Sequence, residues 1–123
     1  RTYAQSMVEK YDVRCTSVEQ SVRSLSGGNQ QKVIIARELE SGPALLVMAH
    51  PTRGLDIGAT SFVHEQMIAA RERGVGLLLI SADFDEILEM SDRIIVCFEG
   101  KIMGEFSGSE PPIEEISLAM TGR

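Results

Sequence analysis

The sequence predicts an α/β fold in which a mostly parallel sheet is followed by an antiparallel hairpin. Two short segments, 45–48 and 76–81, contain the continuous apolar runs Leu45–Met48 and Leu77–Ile80, which are typical of parallel strands that are buried on both faces. Segments with helical spacing of their apolar residues lie between and after these runs. Two further β-rich runs, 93–98 and 101–106, are separated only by a Glu-Gly turn that favours a hairpin. Strands that alternate with helices favour parallel pairing, and the hairpin adds an antiparallel end.

Composition limits the classes of protein to which the chain can belong. Its 123 residues suffice for one domain or part of one, and 43% of them are hydrophobic. A formal charge of −6 argues against a nucleic-acid partner, because such a partner requires a basic face. No apolar run approaches the ~20 residues of a membrane span. The chain begins with Arg1 rather than methionine, so we expect it to be a piece of a longer protein.

The two cysteines do not predict a metal site. Cys15 and Cys97 are far apart in the sequence, and neither has a histidine at the spacing of a metal ligand. Cys97 lies within an apolar run, where we expect it to be a small buried hydrophobic residue.

The elements can be justified in order along the chain. Residues 2–22 form a weakly helical region, and Ser26 is a favourable N-cap for the helix that follows. Gly42 and Pro43 stop that helix near Glu40, because proline cannot continue it. The remaining predicted elements are a strand at 45–48, a turn at 51–56, a helix at 57–73, a strand at 76–81, a helix at 83–90, strands at 93–98 and 101–106, a linker at 107–112 and a helix at 113–120.

The sequence LSGGNQQK at 25–32 is suited to binding an anion. Gly27 and Gly28 have no Cβ, so another molecule can approach their N–H groups closely. The positive end of the helix dipole points toward the same place. Taken alone, Ser26 with the two glycines is more typical of a capped helix after a flexible turn than of an anion site.

The order of these segments resembles the ATP-binding-cassette (ABC) ATPases over roughly residues 22–105. Residues 25–29 match the signature motif of that family, usually written LSGGQ, and the strand at 45–48 matches the Walker B strand. Residues 54–56 match the D-loop. The strand that ends at Ser81 leads to the switch-histidine loop, and the hairpin at Gly100 also matches. The resemblance implies an incomplete P-loop NTPase core with part of the helical subdomain.

The residues within and next to these motifs are similar to those of one branch of the family. Asn29 and the three residues after it, together with the turn at 51–56, resemble bacterial importers of simple sugars and nucleosides. These importers carry two cassettes in one polypeptide, and the chain resembles the second, degenerate one. The altered Walker B strand favours the nucleoside branch over ribose-type sugars. The resemblance implies three regions: 1–42 from the helical subdomain and signature helix, 43–106 from the ATPase core, and 107–123 as linker and C-terminal helix.

The chain departs from the family at the reacting centre. The family has Asp-Glu at the end of the Walker B strand, where this sequence has Ala49 and His50. The aspartate of the family holds Mg²⁺ and the glutamate positions the attacking water. Ala82 replaces the switch histidine. The chain also lacks a phosphate-binding loop that ends in Gly-Lys-Ser/Thr (Walker A), since Ile102 follows its single Gly-Lys pair. We therefore expect no intact catalytic residue, no metal site, and neither tight ATP binding nor hydrolysis by the chain alone.

The resemblance also implies a shared nucleotide site. Each ATP of such transporters lies between the phosphate-binding loop of one cassette and the signature of the other. Ser26, Gly27, Gly28 and Asn29 would then contact ATP, with Mg²⁺, held by the first cassette of the same polypeptide. Asp56 would help to position the opposite half. Transmembrane permease subunits would be the other partners, and the site would lie at the cytoplasmic face of the bacterial inner membrane. The parent protein would be an ATPase.

Two other classes of function remain open. One is a repair or chromosome-maintenance ATPase, which also carries a signature motif and would show coiled-coil heptads upstream. The other is a non-catalytic interaction or regulatory domain on a cassette scaffold.

The resemblance further implies that apolar strand edges are exposed when the phosphate-loop strand is missing. We therefore expect the isolated chain to dimerise, swap segments or rearrange locally.

Overall fold

The structure, a computed structural model, describes residues 2–123. Arg1, at which the first predicted region begins, lies outside the described residues. The α/β class and the antiparallel hairpin are confirmed, and most element bounds agree with prediction to within one or two residues. The elements are α1 (Thr2–Lys10), a 3-10 turn (Val22–Ser24), α2 (Gly27–Glu40), β1 (Leu45–Ala49), α3 (Ile57–Glu72), β2 (Gly76–Ile80), α4 (Phe84–Met90), β3 (Arg93–Phe98), β4 (Lys101–Ser107) and α5 (Ile113–Met120). Among the described residues, no helix is both long and apolar enough to cross a membrane.

The chain divides into two compact units, Arg1–Ile80 and Ser81–Arg123. In the first unit, β1 and β2 pair in parallel, with Leu45 opposite Gly76 and Ala49 opposite Ile80. Helix α2 packs against α3, and α3 packs against β2. The buried apolar side chains of this unit are Tyr11, Val13, Ile35, Ala36, Leu39, Leu46, Met48, Val63, Met67 and Ala70.

The two parallel strands are not buried on both faces, contrary to the prediction. Leu46 and Met48 of β1 are buried. The side chains on the opposite face are about half exposed: Leu45 by 59%, Val47 by 54%, Leu78 by 49% and Ile80 by 46%. Successive side chains of a strand point to opposite faces of a sheet, so a sheet that is covered on one face buries only alternate residues. We call these four side chains the open sheet face.

The predicted helical region at 2–22 is helical only as far as Lys10. Asp12 has a φ of 50°, in the left-handed region, and a helix cannot continue through that conformation. The stretch that follows is rich in Ser and Thr, which favour turns over helix interiors. Instead of extending the helix, this segment makes polar contacts along α2.

Tyr11 joins the end of α1 to the end of α2. Its ring is buried, with 2% of the residue exposed, and its hydroxyl donates to Glu40 Oε1 at 2.6 Å. Lys10 Nζ donates to the same oxygen. Burial, followed by the hydrogen bond to Glu40, raises the pKa of Tyr11 to about 12. The hydrogen bonds from Lys10 and Tyr11 lower the pKa of Glu40.

Tyr11→Phe is expected to destabilise the chain by about 1–2 kcal/mol at pH 7, because it removes a hydrogen bond to a charged group and keeps the ring. The wild-type chain should also lose stability between about pH 10 and 12. The folded state holds the phenolic proton more tightly than the unfolded chain, whose tyrosine titrates near 10. The contribution is therefore complete below pH ~10 and is lost as the pH approaches the folded pKa. Urea unfolding at pH 7 and pH 11 measures both effects. Tyr3 is the other tyrosine and is exposed, so Tyr3→Phe should change neither the stability at pH 7 nor its loss at high pH.

The second unit is built on the antiparallel pair β3–β4, against which α5 packs. Cys97 is exposed, so its predicted burial is wrong. Ile94 and Val96 of β3 face the core, and Cys97 therefore points to the opposite face of the hairpin. An irregularity in the register falls between Val96 and Cys97. The core of this unit consists of Ile94, Val96, Ile116 and Ala119, with Phe84, Ile87, Leu88, Met103 and Phe106 packed around them.

Candidate functional site

The start of α2 presents unpaired backbone donors to solvent. Ser26 is the N-cap, with extended φ and ψ of −61° and 160°, and its side chain accepts from Asn29 N at 3.3 Å. The carbonyl oxygen of Ser26 already accepts from Gln30 N at 2.9 Å, so the helix is regular from its first turn. The N–H groups of the first turn of a helix lack intrahelical acceptors. Because Ser26 and Gly27 are exposed, this terminus is open to an anion.

The two glycines are needed for different reasons. A Cβ at Gly28 would lie 2.9 Å from Ala59 Cβ on α3, which is too close for the two helices to keep their separation. At Gly27 the nearest atom would be Leu55 Cδ2 at 4.0 Å, so space alone would permit alanine. Gly28 therefore serves helix packing, whereas Gly27 leaves the backbone free for close approach from outside.

The predicted turn at 51–56 lies beside this helix and leads into α3. Asp56 is the N-cap of α3, and its Oδ1 accepts from Ala59 N at 2.8 Å. The side-chain amide of Gln31 on α2 donates to Pro51 O, at the other end of the turn. The fold thus brings Gly27 close to Leu55, one of the residues that resemble the D-loop.

The end of β1 carries no group that could hold Mg²⁺. Ala49 is the last residue of the strand and pairs with Ile80, and its side chain is a methyl group. His50 follows with a φ of 50°, and its N–H donates to Ile80 O at 2.7 Å. Mg²⁺ prefers oxygen ligands, which neither side chain supplies. The residues at these two positions therefore do not fit the metal that the family resemblance implies.

Ala82 lies in the second unit, just before α4, and is exposed. Its neighbour Asp83 is the N-cap of α4, and Asp83 Oδ1 accepts from Glu86 N at 3.2 Å. Asp83 N in turn donates to Ser81 Oγ at 3.0 Å. The polar groups around Ala82 thus shape the start of a helix, and Ala82 itself has no group that could bind or transfer a proton.

The sequence reasoning missed the residues that support α2 from the N-terminal segment. Arg14 N donates to Asn29 Oδ1 at 2.7 Å, and Lys32 Nζ donates to Asp12 O at 2.8 Å. Lys32 Nζ also lies 4.8 Å from the centre of the Phe62 ring on α3. No local pattern could reveal these pairs, because 15 to 30 residues separate the partners and the contacts depend on the packing of the chain.

Comparison with known proteins relates the chain to importers. It is 47% identical to the guanosine import ATP-binding protein NupO of Bacillus subtilis over 119 residues, which cover 97% of the chain and 23% of that protein. It is 46% identical to the nucleoside import ATP-binding protein NupA of Lactococcus lactis, over 98% of the chain and 24% of that protein. The ribose import ATP-binding protein RbsA of Caldanaerobacter subterraneus is 41% identical, over 99% of the chain and 25% of that protein. The chain therefore spans about a quarter of the length of these relatives. No family model matches it.

Solved structures relate the chain to the ATP-binding cassettes of ABC transporters. A nucleotide-free ATP-binding cassette from an ABC transporter superposes with a TM-score of 0.77 at 26% identity, over 98% of the chain and 46% of that cassette. The ATP-binding cassette MJ1267 of an ABC transporter gives a TM-score of 0.74 at 26% identity, over 96% and 45%. The chain thus has the fold of nearly half of an ATP-binding cassette, and along almost its whole length it is similar in sequence to the ATP-binding proteins of sugar and nucleoside importers.

Proposed function

We propose that the chain is the C-terminal part of the second cassette of an importer ATPase for simple sugars or nucleosides. In this role it supplies the signature sequence to ATP bound by the first cassette. The observation that carries the proposal is the geometry at the start of α2, where an exposed N-cap serine precedes a helix of 14 residues. The similarity to the guanosine, nucleoside and ribose import proteins supports the choice of transporter.

The chain's own residues would act by binding and orienting the nucleotide. The Ser26 hydroxyl and the N–H groups of Gly27 and Gly28 are donors in fixed positions, and the dipole of α2 adds positive potential where the γ-phosphate would lie. Asp56, which caps α3, would help to position the opposite cassette. The bound ATP with its Mg²⁺ supplies the phosphoryl group and its charge neutralisation.

The corresponding site of this cassette itself would be inactive. Ala49 cannot hold a cation, His50 stands where the family has glutamate, and Ala82 stands where it has histidine. The parent protein would nevertheless hydrolyse ATP at the site of the first cassette, which the signature sequence of this chain would complete. Its partners would be that cassette and transmembrane permease subunits, at the cytoplasmic face of the bacterial inner membrane, without nucleic acid.

Restoring the family residues with Ala49→Asp and His50→Glu is expected to leave transport within about twofold of wild type. One pair of carboxylates does not replace the missing histidine or reposition the nucleotide. Solute uptake and ATP hydrolysis by the full-length subunit in proteoliposomes measure this. A severalfold rise in hydrolysis would show that the two carboxylates alone restore the second site, and would contradict the expectation that its other departures also keep it inactive.

We also propose that the isolated chain pairs with a second copy through the open sheet face. Four half-exposed aliphatic side chains on two adjacent strands form a patch that water solvates poorly. The double variant Val47→Lys, Leu78→Lys should shift the chain toward monomer in light scattering at high concentration. Ile113→Lys, which charges an exposed isoleucine of the second unit, is the control and should not. A monodisperse wild-type monomer at high concentration would contradict this proposal.

A further inference from the structure

The Ser26 hydroxyl receives two internal hydrogen bonds from one residue. Asn29 N donates to Ser26 Oγ at 3.3 Å, and the side-chain Asn29 Nδ2 donates to the same oxygen at 2.9 Å. A serine hydroxyl has two acceptor lone pairs and one hydrogen. With both lone pairs engaged from inside the protein, the hydroxyl can offer only its hydrogen to a molecule outside. Ser26 is exposed, so that hydrogen is available to a ligand.

The orientation of the Asn29 carboxamide is determined by its other contact. Arg14 N donates to Asn29 Oδ1 at 2.7 Å. A backbone N–H cannot accept a hydrogen bond, so the oxygen of the carboxamide must face Arg14 and the NH₂ group must face Ser26. A flipped amide would place two donors together at Arg14 and an acceptor beside Ser26.

The segment that carries Arg14 is itself held in place. Val13 N donates to Val8 O at 3.0 Å, and the Val13 side chain is buried. Lys32 Nζ, on α2, donates to Asp12 O at a distance of 2.8 Å. These contacts of the two residues just before Arg14 fix its N–H relative to the helix. Arg14, Asn29 and Ser26 therefore form a continuous chain of hydrogen bonds from the N-terminal segment to the exposed hydroxyl.

We propose that Asn29 is a positioning residue. By donating to Ser26 Oγ it leaves the Ser26 hydroxyl able to act only as a hydrogen-bond donor, which suits a deprotonated phosphate oxygen. The inference rests on the proposed function and deepens it. Asn29 acts through Ser26, and its carboxamide is already engaged by Arg14 and Ser26. A phosphate oxygen without a proton is an acceptor only, which is the ligand that a donor-only hydroxyl selects. The same arrangement disfavours a ligand that presents a hydrogen-bond donor at this point.

A double-mutant cycle tests the inference in the full-length importer subunit reconstituted with its permease. Asn29→Ala should lower the rate of ATP hydrolysis at saturating ATP by about fivefold, the equivalent of one hydrogen bond. In a Ser26→Ala background the same change should cost less than about twofold, because the group through which Asn29 acts is already gone. Asn29→Gln retains a carboxamide donor and acceptor and should keep most of the activity. Thermal midpoints of all variants report any general loss of stability.

Gln30→Ala is the matched control on the same turn. It removes a hydrogen bond from Gln30 Nε2 to Leu25 O, which does not involve Ser26. Its effect should be equal in both backgrounds. If Asn29→Ala costs as much with alanine at position 26 as with serine, Asn29 does not act through the hydroxyl, and the inference is overturned while the proposed function stands. If Ser26→Ala alone leaves hydrolysis unchanged, both the proposed function and the inference are overturned.

Discussion

Ser26→Arg in the full-length subunit is expected to reduce ATP-driven transport by at least about a hundredfold. The change removes the N-cap of α2, which by itself costs about 1 kcal/mol of helix stability. It also places a long cation at the positive end of the helix dipole. The larger effect is steric, because the guanidinium would extend into the space in front of Gly27 that the proposed γ-phosphate requires. Uptake of labelled nucleoside or sugar into proteoliposomes measures the loss.

Ser41→Arg is the matched control for this substitution. Ser41 is an exposed serine that caps the opposite, C-terminal end of the same helix, where a cation interacts favourably with the dipole. Transport by that variant should stay within about twofold of wild type. Normal transport by the Ser26→Arg protein would remove the basis for the proposed signature role.

Gly108→Ala is expected to destabilise the second unit by about 3 kcal/mol or more. A Cβ at this position would lie 1.8 Å from Ser91 O and 2.7 Å from Ser91 C, both of them backbone atoms. Gly108 N donates to Asp92 O at 2.8 Å, which holds the two segments together. Since no rotamer change can relieve a clash with backbone, the end of β4 must move away from the start of β3. Urea unfolding followed by circular dichroism measures the change.

Gly104→Ala, within β4 and four residues before Gly108, separates a backbone clash from the general effect of adding a methyl group. Its Cβ would lie 2.7 Å from Phe106 Cζ, the far end of a side chain that can rotate away. The loss should therefore be smaller, about 1 kcal/mol. Hydrogen exchange of the β3 amides should show local opening only in Gly108→Ala. Equal stability of the two variants would mean that the junction between β3 and β4 adapts more readily than its contacts indicate.

Local patterns were sufficient for the elements whose causes are local. Ser26 and Asp56 cap helices as their residue types favour, and both accept from the backbone N–H three residues ahead. Gly42, Gly54, Gly74 and Gly100 have positive φ at the turns and helix ends where glycine is the residue that tolerates it. The apolar runs of β1 and β2 likewise mark the two strands to within a residue.

Predictions that depended on residues packed nearby in space, but distant in the sequence, were less accurate. The apolar composition of β1 and β2 predicted burial on both faces, but burial of Leu45 or Leu78 depends on what packs against that face. Cys97 lies within an apolar run, yet its exposure was decided by the face of the hairpin on which α5 packs. The extension of α1 to Val22 failed because the residues after Lys10 find hydrogen-bond partners on α2 that helix propensity does not take into account.

The sequence by itself determined the cap at Ser26, the turns, the order of the segments and the absence of carboxylates at Ala49 and His50, because each depends on residue type and short spacing. Only the tertiary structure decided how Asn29 is used. Its carboxamide lies between Arg14 N and Ser26 Oγ because a segment 15 residues earlier folds back along α2. The physical reason is that a hydrogen bond depends on distance and direction in space, and packing brings together groups that the sequence keeps apart.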